Sequence, residues 1–180
     1  MIKIFNFQFS ISYLRSSQKG VSMIELILYM GILAVMLTIL TSIFVSALDV
    51  QSESQTTSSV EQDGNYILSR LAYDIHRAQS INIPSYNGLP TIDNFQIVID
   101  GVNYTYSVDG NNDLILVNNS GQNNLNNYGS SISDLSAQRL GNAGGVENTL
   151  RINFTVTSRT KRISGFETKN FETNLSLRRQ

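Results

Sequence analysis

The chain has 180 residues, a net charge of −1 and no cysteine, which excludes a thiolate metal site, a disulfide staple and a cysteine nucleophile. That length suits one globular domain plus an extension, and the near-neutral charge gives no global field to gather nucleic acid. Charged residues are 15% of the chain, well under the rough quarter usual for soluble domains, and with His76 its one histidine any metal site would rest on oxygen ligands.

From Leu26 to Leu48 the chain runs 23 residues without a charge. A helix needs about 20 mostly apolar residues to cross a hydrocarbon core of roughly 30 Å, so this run is long enough to span. It is too long for the apolar core of a secretory signal peptide, typically about 7–15 residues. A fully buried core helix is the alternative, but the rest of the chain reads as too small and too polar to wrap one. Lys3, Arg15 and Lys19 precede the run, whereas Asp49, Glu53, Glu61 and Asp63 follow it. The basic side stays cytoplasmic, so the pattern predicts a single pass of the cytoplasmic membrane, N-in and C-out.

Just before the run, Glu25 stands alone at the edge of the apolar stretch. A carboxylate at the rim of a membrane helix is costly unless paired. Cleavage after Gly20 would give Val21 an ammonium about one helical turn away on the same face. Pairing with its own amine, or with that of a neighbouring subunit, would then fix register, because an unpaired buried carboxylate costs several kcal/mol.

The stretch Lys19-Gly20-Val21-Ser22-Met23-Ile24-Glu25-Leu26, leading directly into the apolar run, resembles the type IV prepilin processing motif. The resemblance implies a leader over 1–20 removed by prepilin peptidase between Gly20 and Val21, N-methylation of Val21, and Glu25 as the filament-assembly carboxylate. It further implies a transmembrane and assembly helix over 21–48, continued over 49–80, and an exported antiparallel domain over 81–180. The implied partners are prepilin peptidase, other pilin or pseudopilin subunits, an inner-membrane assembly platform and membrane lipid. Valine stands where the family commonly has phenylalanine, and the anchor lacks the proline of many major pilins, so no proline kink is expected.

Residues 49–65 are rich in Ser, Thr and Gln and read as a flexible linker or a solvated stretch of helix. Beyond them Ile67, Leu68, Leu71, Ile75 and Ala78 recur at spacings of three and four, an apolar helical stripe. Arg70, Asp74 and Arg77 fall on the other face, with Asp74 in reach of both arginines. Together these predict one long helix from about Ser22 to Gln79, with Asp63-Gly64 as the place for an interruption. The segment from Leu71 to Ala78 resembles the helix end of the larger minor pilins and pseudopilins, including the J class of type II secretion.

Pro84 and Pro90 bracket a turn, after which short strands follow. Phe95–Ile99, Val102–Val108 and Leu114–Val117 read as these strands, with period-two alternation visible over Val102–Val108, and residues 109–113 between the last two form a hairpin signal. Asp109, Asn111 and Asp113 also alternate as half a calcium loop would, but no bidentate glutamate follows at the right distance. Residues 118–145 read as a long exposed insertion with a short turn near Ser133 to Leu140. Leu150, Ile152, Phe154 and Val156 share one face of a strand, Arg159 to Arg162 suit a hairpin tip, and Phe171–Leu177 reads as the last strand. The fold class is α+β, a long N-terminal helix packed on an antiparallel sheet, pilin-like.

No nucleophile motif, phosphate loop or metal-ligand spacing appears, so neither catalysis, a cofactor nor a metal is expected. Asp100, Asp109, Asp113 and Asp134 read as solvated turn residues, and His76 as solvent-facing or between helix and sheet. Arg159, Lys161, Arg162, Arg178 and Arg179 could touch a nucleic-acid backbone, but ordinary surface charge is the simpler reading and nucleic acid is not expected. The expected function is a minor pilin or pseudopilin subunit of a type IV filament or a type II secretion-like system. The alternative is a single-span, signal-anchored extracytoplasmic binding domain that does not polymerise.

Overall fold

The computed structural model describes residues 20–85, 90–141 and 149–178. One helix, α1 (Met23–Arg77), precedes β1 (Ser80–Ile83), β2 (Thr91–Ile92), β3 (Asn94–Ile99), β4 (Val102–Val108), β5 (Leu114–Asn118), β6 (Gly121–Asn124), β7 (Ser130–Leu140), β8 (Thr149–Arg162) and β9 (Gly165–Ser176). The strands form two antiparallel sheets, ordered β1-β3-β4-β5-β6 and β2-β7-β8-β9. The fold is therefore α+β, with two sheets where the sequence predicts one. The chain divides into two compact units, Met1–Phe44 and Val45–Gln180.

In the first unit the described helical residues are exposed throughout. Thr38 and Thr41 donate their hydroxyls to the carbonyls of Ala34 and Leu37, at 2.9 and 2.8 Å. These local bonds satisfy the hydroxyls inside the helix, which removes much of the cost of placing them in an apolar medium.

In the second unit α1 buries Thr56, Val60, Asp63, Gly64, Ile67, Leu71, Asp74 and Ile75. These positions continue the predicted stripe by nearly three turns toward the N-terminus, through the segment whose composition also allows a linker. Burial on one face, rather than propensity, stabilises such a helix. No break occurs at Asp63-Gly64. An ideal Cβ on Gly64 would lie 2.0 Å from Cζ of Phe171, so the glycine is there because the ring of β9 sits against the helix backbone.

The sheets close over this stripe. Phe95, Ile97, Ile99, Tyr106, Leu114 and Leu116 are buried from the first sheet, and Ile132, Leu135, Leu150, Ile152, Phe154, Val156 and Phe171 from the second. Each fully buried aliphatic or aromatic side chain contributes about 1.5–3 kcal/mol. Two cross-strand aromatic pairs stack, Phe95 with Tyr106 at 4.6 Å and Phe154 with Phe171 at 5.4 Å between ring centroids.

Three expectations are corrected. Within 118–145, residues 121–124 and 130–140 are strands rather than loop; 142–145 lie outside the described residues. The long strand is hidden in sequence because its pairing with β8 slips between Ser133 and Ser136, where Asp134 has φ 54°. That extra residue puts Ile132 and Leu135 on one face although they are three apart, which breaks period two. The tip of the last hairpin is Ile163-Ser164, not Arg159 to Arg162, since Arg162 still pairs with Gly165. The last strand accordingly starts at Gly165. The turn expected between Pro84 and Pro90 falls largely on residues 86–89, outside the described residues.

Gly64→Ala is expected to destabilise the second unit by about 1–3 kcal/mol, the usual cost of overpacking a core. Urea titration of the full chain in detergent micelles, followed by near-UV circular dichroism, checks this. The penalty is expected to shrink markedly in a Phe171→Leu background, where the ring is gone.

Candidate functional site

Gly20 and Val21 lie ahead of α1 in chain that is neither helical nor buried, and nothing stands within 4 Å of an ideal Cβ on Gly20. Helical hydrogen bonding begins immediately afterwards, with Leu26 N donating to Ser22 O at 3.0 Å. Gly20 and Val21 are thus exposed among the described residues and are followed at once by helix.

Glu25 sits in the first turn of α1, where the partial positive charge of unpaired backbone N–H groups favours an anion. With residues 1–20 attached, the nitrogen of Val21 is an amide and offers no charge. Glu25 instead accepts a hydrogen bond from the Tyr29 hydroxyl, 2.9 Å from its Oε1. The two residues are four apart and so lie on one face. Tyr29 is the residue that sequence reasoning missed, and the i, i+4 spacing of a hydroxyl to a lone carboxylate was the available signal.

The rest of the segment is defined by what does not cover it. Every described residue from Gly20 to Val50 is exposed, among them Met23 at 83% and Ile27 at 68%. A contiguous apolar surface of this extent far exceeds the few hundred Å² usual on a soluble monomer and marks a membrane or protein contact. Among the described residues, α1 is the one helix long and apolar enough to cross a membrane, and none of its apolar window is buried.

The remaining polar groups singled out in sequence have partners of their own. Asp109 accepts from the backbone N–H groups of Asn111 and Asp113, at 2.9 and 2.8 Å. The Asp113 amide, followed by Asn111, holds its carboxyl below the usual carboxylate range. Asp113 meets Arg159 at 2.7 Å and Asn126 at 2.9 Å. These oxygens are thus engaged in the turn, and no group of three or more His, Cys, Asp or Glu residues converges among the described residues. Asp100 and Asp134 are exposed, each with positive φ. His76 Nδ1 lies 3.1 Å from Ser176 O, between helix and sheet. Arg162 pairs with Glu53 and Glu167, and Arg159 with Asp113; Lys161 and Arg178 are exposed and Arg179 lies outside the described residues.

Asp74, read on the helix face opposite the apolar stripe, is buried instead. It is 1% exposed and accepts from Arg70 Nε at 2.8 Å and from the Tyr106 hydroxyl, whereas Arg77 turns to Tyr73 and Asp100. Burial, then the hydrogen bond to Asp74, pushes the Tyr106 hydroxyl far above the ordinary phenol range, so it stays a donor. Burial, the largest single influence, would lower the guanidinium of Arg70, but the charge and hydrogen bond of Asp74 together with Tyr106 outweigh it and the net direction is up. The three groups form a closed set that joins helix to sheet.

No family model, no curated protein and no solved structure matches the chain.

Tyr106→Phe removes the donor that Asp74 lacks any replacement for at that position. A stability loss of about 1–3 kcal/mol is expected, the cost of leaving a buried acceptor short of a partner, read from the urea midpoint in micelles.

Proposed function

We propose that the chain is a type IV pilin-like subunit, a minor pilin or pseudopilin, cut between Gly20 and Val21 and assembled through the helix that follows. The observation that carries this reading is the sequence Gly20-Val21-Ser22-Met23-Ile24-Glu25 leading directly into 23 uncharged residues, Leu26 to Leu48. The exposed backbone at Gly20 and Val21 and the bare apolar flank of α1 support it.

In this reading cleavage exposes an ammonium at Val21, one turn from Glu25. The carboxylate then exchanges the Tyr29 hydroxyl for a charged partner, on its own chain or on a neighbour. The remaining apolar flank packs against the anchors of other subunits, excluding lipid. Val21 is the position for N-methylation. Prepilin peptidase and an inner-membrane assembly platform are the machinery required, and the second unit is extracytoplasmic. The competing reading, a static single-span anchor for a binding domain, keeps residues 1–20.

The N-terminal mass of the membrane-extracted protein, expressed with and without a prepilin peptidase, separates the two. A peptidase-dependent start at Val21, lost on replacement of Gly20, is the expected result; retention of Met1, or cleavage elsewhere, sinks the pilin reading. Glu25→Gln is expected to leave cleavage intact but to abolish co-assembly. The uncharged amide cannot compensate a buried ammonium, a deficit of several kcal/mol. Cysteine cross-linking between anchor helices reads that loss.

A further inference from the structure

The β8–β9 hairpin ends in a two-residue turn, Ile163-Ser164, between the paired Arg162 and Gly165. Turn positions favour Gly, Asn, Asp and Ser. Here one of the two is isoleucine, 87% exposed, with Phe166 close behind at 53% and Lys161 exposed before it. The paired turn thus holds a large aliphatic side chain out into water with an aromatic one close behind it.

The turn's position along the helix identifies an occupant. It faces Asp49, Ser52 and Glu53 across a shallow cleft, and Arg162, with its side chain 11% exposed, bonds Glu53 Oε1 at 3.1 Å and also Glu167. Val45–Leu48, the last residues of the apolar run, belong to the same compact unit as this hairpin. Asp49 and Glu53 follow Leu48 by one and five residues, about 1.5 and 7.5 Å of helix rise. The headgroup zone on each side of a bilayer is roughly 5–8 Å deep. The turn therefore falls at the depth of the headgroups if the apolar run spans. Arg162 pairs with both glutamates beside it and offsets one of their two charges, while Lys161 is an exposed cation suited to lipid phosphates.

We propose that the β8–β9 turn is a membrane-surface foot, with Ile163 seated in the interfacial zone of the bilayer crossed by residues 26–48. This rests on the reading of that run as a membrane span. A foot at this position holds the second unit against the membrane surface before assembly and makes withdrawal of Ile163 from lipid part of leaving the bilayer.

The native chain contains no tryptophan, so single substitutions in the full chain each supply the sole indole. Three are compared in phosphatidylcholine vesicles with and without bromine on the upper acyl chain: Ile163→Trp, Leu40→Trp within the span, and Tyr128→Trp. Tyr128 is 88% exposed, and its neighbour Asn127 bonds Asp63, 15 residues past Leu48 and about 22 Å along the helix. All three sites are surface positions, so folding is not at stake. The expected result is blue-shifted, bromine-quenched emission from Ile163→Trp and Leu40→Trp, with Tyr128→Trp red and unquenched. Quenching at Leu40 with Ile163→Trp as unquenched as Tyr128→Trp overturns the foot and leaves the span intact. Loss of quenching at Leu40 itself overturns both.

Discussion

The close approach of α1 to the second sheet at Asp63-Gly64 is the constraint on which the second unit depends. Gly64 lets the ring of Phe171 lie against the helix backbone, and Phe171 in turn stacks on Phe154 in the middle of that sheet. Beside it, the buried carboxylate of Asp63 accepts from the Ser130 hydroxyl at 2.5 Å and the Asn127 amide at 3.2 Å. A glycine for contact and an aspartate for direction are thus adjacent in sequence. A larger residue at 64 would hold the sheet off and strand the Asp63 carboxylate without its donors, which in a low-dielectric setting is the costlier loss.

The same face carries the other attachment. Asp74 is eleven residues beyond Asp63, three helical turns within about 20°, and it takes the hydroxyl of Tyr106 from the first sheet. Each sheet is therefore bonded to the helix through its own buried aspartate. Asn126 ties the sheets to each other, since its side chain bonds Leu114 N, Asp113 and Ser130 O. Apolar packing supplies most of the stabilisation, but it is tolerant of small rotations, and these directed bonds select one.

Much of this was legible in the residues. The apolar stripe from Ile67 to Ala78, the strand over 102–108 and the inward set Leu150, Ile152, Phe154 and Val156 follow from periodicity, because each is a regular element, while the strands over 95–99 and 114–117 read as short apolar runs beside turn signals. What was not legible is irregular or polar inside. The stripe through Thr56, Val60, Asp63 and Gly64 holds one aliphatic residue, so hydrophobicity cannot register it. Strand β7 changes phase at Asp134, so no fixed period fits it. Asp74 reads as a surface charge until Tyr106, 32 residues away, is brought over it. At the candidate site, Gly20, Val21 and Glu25 were evident from the motif, whereas Tyr29 looked like one more residue of an apolar run.

The two aspartates also govern how α1 would bear load. Both bonds run from helix to sheet, across the helix axis, at points about 16 Å apart along it. A pull along α1 would stretch them side by side rather than one after the other, and the stacked ring of Phe171 at Gly64 would resist sliding by shape alone. Such a joint gives way all at once, not by peeling.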